Sequence, residues 1–227
     1  MAMGAQANTM PIFGLSSERL GGLLGILGVV CFVVGILVQG DVPRIDDPAE
    51  EIHAWFIDNG EQYLIGDFII ALGVVFGLVP FFIALRTALA AAPFWSLLAL
   101  VGGLFFALVG AAASSFPGAL AVGAEQIEDD SAVMALMNAG FYGFTAPGLV
   151  LGLFFVSTAM AIKQTGVFAL ALAWLCLALS VVGILSGFAA VEGDPRGVFS
   201  LLGLVALIGL GVVTLALGWS MLMRKDA

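Results

Sequence analysis

Asp67 is the one acid that falls inside a long apolar stretch of this sequence. An ionisable side chain in hydrocarbon costs about 2.5–3.5 kcal/mol at mid-depth, which makes such a group a functional candidate by default. Gln39, Ser114, Ser115, Thr145 and Ser186 lie at a similar depth on neighbouring stretches. Together with Asp67 they would line a shallow polar cavity open to one side. The competing reading is an interfacial carboxylate among ordinary helix-end polar residues, with Arg44 or Arg196 as its partner.

Other chemistry is sparse. His53 is the sole histidine and lies outside the apolar stretches, so no spanning segment offers an axial haem ligand. A His/Glu zinc site with Glu50 or Glu51 lacks further ligands, and a solvated imidazole is the expectation. The acid clusters Asp46-Asp47, Glu50-Glu51 and Glu128-Asp129-Asp130 lack the spacing of a calcium loop. Cys31 and Cys176 sit within apolar stretches, as small packing residues. No nucleophile-base pair, phosphate loop or H-E-x-x-H pattern occurs. The sequence therefore predicts no catalytic residue, no metal and no cofactor.

The elements that would carry these residues follow from composition. The chain of 227 residues is 62% hydrophobic and 10% charged, where soluble proteins average about 25% charged. Apolar stretches cover residues 20–40, 63–86, 94–115, 141–163, 167–191 and 198–222. Each approaches or exceeds the roughly 20 residues that cross a bilayer as a helix, and lipid demands that backbone groups bond internally. The expected fold is all-α: one polytopic membrane domain over residues 1–227, its six transmembrane helices paired as three outward-pointing hairpins. The first stretch is too long for a signal-peptide core and no small-residue cleavage pattern follows it, so it is expected to be retained.

Lys and Arg set the orientation. Arg19, Arg86, Lys163, Arg224 and Lys225 fall on one side, and Arg44 and Arg196 on the other. This predicts cytoplasmic N- and C-termini. Most of the formal charge of −9 then faces outward, a surface unsuited to nucleic acid.

The first outer connection has the punctuation of its own helix. Asp47 is a candidate N-cap, Pro48 the first helical residue, and Glu50 completes a capping box. Asn59-Gly60 reads as a stop. Ile52, Trp55 and Phe56 share one face, so a short amphipathic helix lying on the membrane interface is expected. Asp129-Asp130-Ser131-Ala132 parallels Asp46-Asp47-Pro48-Ala49, and a second amphipathic stretch through Val133, Met134 and Met137 follows it. The likeness reads either as a duplication or as convergence on ordinary cap chemistry.

The pairs Gly21/Gly25, Gly73/Gly77, Gly148/Gly152 and Gly183/Gly187 have the small-xxx-small spacing of close helix packing, within the chain or against a partner. Trp95 and Trp219 are placed at the inner interface, and Tyr63, Phe116, Phe141 and Tyr142 at the outer one. Pro80 and Pro147 are read as kinks inside the second and fourth helices.

The stretch Asn59-Gly60 through Tyr63-Leu64-Ile65-Gly66-Asp67, the Ala84-Leu85-Arg86 ending, Pro93-Phe94-Trp95 and the Lys163 to Phe168 link resemble a family of uncharacterised bacterial six-helix membrane proteins, a domain of unknown function. The resemblance implies a bacterial cytoplasmic (inner) membrane and no reaction. The leading expectation is a non-enzymatic accessory or scaffold subunit that meets lipid and other membrane subunits. The alternative is a carrier or binding protein for a lipid or small apolar molecule.

Overall fold

The computed structural model describes residues 15–143 and 146–224. Every regular element among them is helical: α1 (Ser17–Gln39), α2 (Ala49–Leu72), a π-helical turn (Gly73–Leu78), α3 (Val79–Ala88), α4 (Pro93–Gly123), a 3₁₀ turn (Ala124–Gln126), α5 (Asp130–Gly143), α6 (Ala146–Thr165), α7 (Leu170–Ser186), α8 (Ala189–Glu192) and α9 (Val198–Met223). Six helical runs are long and apolar enough to cross a membrane. They close a ring in chain order. α1 packs on α2 and α3, these on α4, α4 on α6, α6 on α7, α7 on α9, and α9 returns to α1.

Two of the runs made wholly of described residues far exceed a bilayer. Ala49–Ala88 is one rod of 40 residues and Pro93–Gln126 one of 34, about 60 and 50 Å against a hydrocarbon core of about 30 Å. The excess lies at the acidic end. There Ile52, Phe56 and Tyr63 of α2 pack with Leu120 of α4, Ala124, and Val133 of α5 in a small separate core.

This arrangement corrects the expectation of a separate interfacial helix ending at Gly60. α2 runs straight through Asn59 and Gly60, starting one residue later than foreseen, at Ala49. Ile52 and Phe56 are buried against protein, and Trp55 is partly buried. Gly60 is there for close approach: a Cβ on it would lie 2.7 Å from the Ala121 carbonyl oxygen. A glycine that permits a helix crossing and one that stops a helix look identical in sequence. Tyr63 is likewise an interior residue, 6% exposed, and no belt residue.

The small-xxx-small glycines work inside the ring. Gly28 and Gly35 of α1 meet Gly66, Gly73 and Gly77, and a Cβ on Gly73 would sit 2.7 Å from Cβ of Cys31 and 2.8 Å from the Gly28 carbonyl oxygen. Gly21 and Gly25 face Ala84 and Phe81. Across the ring Gly148 and Gly152 of α6 meet Gly183 and Ile184 of α7, and Gly187 meets Leu149. Pro80 follows the π turn as the second residue of α3. Pro147 is the second described residue of α6 and falls within the helical run Asp130–Thr165. Pro117 lies in the interior of α4.

The two ends are tied differently. At the basic end the Arg19 side chain donates to the Arg224 carbonyl oxygen at 3.0 and 2.5 Å, and Arg224 meets Glu18 at 3.3 Å. Lys163 Nζ stands 4.8 Å over the Trp174 ring. At the acidic end the Glu192 carboxylate accepts from the backbone N–H groups of Val198 (3.1 Å) and Phe199 (3.0 Å). It thereby satisfies donors that the first turn of α9 would otherwise leave unpaired.

Candidate functional site

The acidic half of the ring holds a chamber of about 520 Å³ between α1, α2 and α4. Its shape follows from side-chain size along α4. Gly102 and Gly103, deeper in that helix, are filled by Phe154 and Phe82, and Cβ atoms there would lie within 3 Å of them. One turn and more toward the acidic end, Ala107, Gly110 and Ala111 present almost no volume, and a Cβ on Gly110 meets nothing within 4 Å. α1 supplies Phe32, Ile36 and Gln39 at one-turn intervals, while α2 supplies Tyr63, Asp67 and Ile70. Val74 and Val75 of the π turn continue that wall, and Leu207 of α9 closes the far side. Irregular turns of this kind recur at functional sites.

Below the chamber lie a void of about 30 Å³ against Phe32, Leu78 and Leu210 and then a layer of aromatic rings. Phe81, Phe82, Phe154 and Phe155 are each at most 1% exposed. Neighbouring rings stack at 5.7 Å (Phe81–Phe82), 5.3 Å (Phe82–Phe154) and 5.5 Å (Phe154–Phe155). These edge-on and tilted contacts are favourable aromatic geometry. The chamber is therefore blind toward the basic end.

Three of the polar residues singled out from sequence, Gln39, Asp67 and Ser114, share the chamber wall. Ser114 Oγ donates to the Ala111 carbonyl oxygen at 3.1 Å. Asp67 is half-buried, and no hydrogen bond or ion pair among the described residues engages it. Of the other three, Ser115 and Ser186 are elsewhere. Ser115 is exposed and donates to the Ala112 carbonyl oxygen at 2.6 Å. Ser186 is buried, donates to the Gly183 carbonyl oxygen at 2.7 Å, and lines a separate cavity of about 230 Å³. Thr145 lies outside the described residues. Ser114 and Ser115 are interior to α4, which continues to Gly123, and do not end a helix.

Above the chamber is a vestibule of about 650 Å³, roofed by residues 42–46 and walled by Tyr63, Pro117, Phe141 and Arg196. Tyr63 borders both spaces. Arg196 Nη2 meets Asp46 Oδ2 at 2.5 Å, pairing the first acidic-end loop with the last one. Neither arginine partners Asp67, contrary to one of the expectations; both line the vestibule.

His53 is a structural tie and not a solvated side chain. Its Nε2 donates to the Ala124 carbonyl oxygen at 2.7 Å, and its Nδ1 lies 3.6 Å from Asp130. Asp129 opens α5: its carboxylate accepts from the Ser131 hydroxyl (2.7 Å) and backbone N–H (2.8 Å), which together hold it below the usual carboxylate range. Among the described residues no three His, Cys, Asp or Glu side chains converge as a metal site would need. The buried hydroxyls of Ser157, Thr158 and Thr214 have no partner among the described residues, so the ring's interior is less bare of polar atoms than composition suggests.

The features that reading the sequence missed are the chamber's space-makers. Gly110 and its alanine neighbours carried a signal, a run of minimal side chains facing aromatics, that hydropathy does not register. The Asp46–Arg196 pair carried none, since its partners are 150 positions apart. Comparison with protein families, curated proteins and solved structures gives no match.

Proposed function

We propose that this chain is an integral membrane binding protein for a lipid-like or small apolar molecule, held in the chamber at the acidic end. The observation that carries this is the open wall at Gly110 opposite the half-buried Asp67. At about 520 Å³ the chamber has the volume of small-molecule sites, roughly 300–1,000 Å³. It is apolar except at one rim, as such sites are. The Lys/Arg distribution supports an outward acidic end and cytoplasmic termini, in the bacterial inner membrane that the family resemblance implies. No catalysis is part of this proposal.

The second reading is a non-enzymatic accessory subunit. Its strongest support is the acidic platform of α2, α4 and α5 that projects beyond the membrane. Its weakness is that Gly21, Gly25, Gly73, Gly77, Gly148, Gly152, Gly183 and Gly187 all pack within the chain, leaving those faces no partner to meet.

Native mass spectrometry of the protein released from native-membrane nanodiscs separates the two. The expected result is an apolar adduct at one-to-one stoichiometry that Gly110→Leu removes. A stoichiometric protein partner, with no small adduct on either form, would sink the binding reading.

A further inference from the structure

Building on the chamber as a binding site, we infer that its ligand is a monocationic amphiphile: an apolar body in the chamber and an ammonium-type group against Asp67. Three independent features of the site lead there.

The first is charge. Asp67 is the one carboxylate in the chamber wall, and no Lys, Arg or His lines it. An anion in an apolar wall without a partner is costly unless a cation or several donors reach it. Nothing among the described residues does so. A cationic group on the occupant would supply the partner that the protein does not.

The second is hydrogen-bond polarity. The Ser114 hydroxyl proton is committed to the Ala111 carbonyl oxygen, so its oxygen offers the chamber only lone pairs. The Asp67 oxygens are also acceptors. The acceptors at the rim are Asp67 and Ser114, and the Gln39 amide and the Tyr63 hydroxyl are able to donate. An ammonium, with its several N–H donors, matches the Asp67 and Ser114 acceptors, whereas a carboxylate head group would meet Asp67 as a like charge.

The third is the field at the mouth. Asp41, Asp46, Asp47, Glu50 and Glu61 belong to the acidic end of α2 and the loop before it, against Arg44 and Arg196 of the vestibule wall, Arg196 paired with Asp46, so the balance there is negative. A mouth of this sign raises the local concentration of cations and repels anions.

The test uses three probes of one chain length on the full chain in dodecyl maltoside: tritiated dodecylamine, dodecanol and dodecanoate, each in scintillation-proximity binding. The amine is expected to bind at least about tenfold more tightly than the alcohol, with the fatty acid weakest. Asp67→Asn should erase the amine's advantage and leave the alcohol unchanged, while Asp67→Glu should keep it. Circular-dichroism melting confirms that each variant is folded. Equal affinities for amine and alcohol, or an amine advantage that survives Asp67→Asn, would overturn the assignment of the ligand class alone. Gly110→Leu should weaken all three probes. If it weakens none, or if no probe binds, the chamber reading itself falls and the ligand class with it.

Discussion

Arg196 and Asp46 join the last loop of the acidic end to the first, across the vestibule that leads to the chamber. Arg196 is mostly exposed, at 62%, and Asp46 at 29%. A pair this wet contributes no more than about 1 kcal/mol to stability, so its effect is local.

Arg196→Ala is accordingly expected to leave the melting temperature nearly unchanged while amide hydrogen exchange rises across residues 41–47. Those residues roof the vestibule and have few other anchors: Asp47 accepts from the Arg44 N–H at 2.7 Å, and Ile45 is buried. Unchanged exchange in that segment would show that the ion pair does not hold the roof.

Glycines of the π turn and of α4 make a paired prediction with opposite signs. Gly73→Ala forces a methyl into Cys31 and the Gly28 carbonyl oxygen, and crowding of this kind costs about 1–3 kcal/mol. Gly118→Ala adds a methyl where nothing lies within 4 Å, and the stiffened unfolded chain then stabilises the fold by about 0.4–1 kcal/mol. Thermal melting in detergent measures both. Equal effects from the two substitutions would mean that the α1–α2 seam is not tightly closed.

Asp129 supplies a pH prediction with a fixed sign. Its carboxyl is held below the usual range first by the Ser131 hydroxyl and then by the Ser131 N–H. A depressed carboxylate adds stability that is present above its unfolded range and is lost as pH falls through the lowered folded value. Ser131→Ala removes the larger cause, so the Asp129 carboxyl should titrate closer to an ordinary aspartate. Carboxyl carbon NMR shifts of selectively labelled aspartate follow it directly. An Asp129 titration that does not move would remove the Ser131 hydroxyl from the cause.

How much of this was legible beforehand differs by the kind of interaction. The helical class and the six apolar runs follow from hydropathy, because lipid leaves the backbone one solution. The common placement of Gln39, Asp67 and Ser114 followed from depth along the helices, which fixes height but not azimuth. Ser115 is one residue on from Ser114 and points away; Ser186 is at similar depth and opens into another cavity. Azimuth depends on which glycine faces meet, as Gly28 meets Gly73, and that is a property of pairs of helices. Gly60 and His53 were misread for a related reason. Each answers to α4 across the platform, through Ala121 and Ala124, and nothing in its own neighbourhood of sequence announces that.

The aromatic stack of Phe81, Phe82, Phe154 and Phe155 makes the bundle a stoppered tube. Whatever rests above the stopper equilibrates with a single compartment. On the binding reading proposed above, the protein would meet its molecule from one face of the membrane.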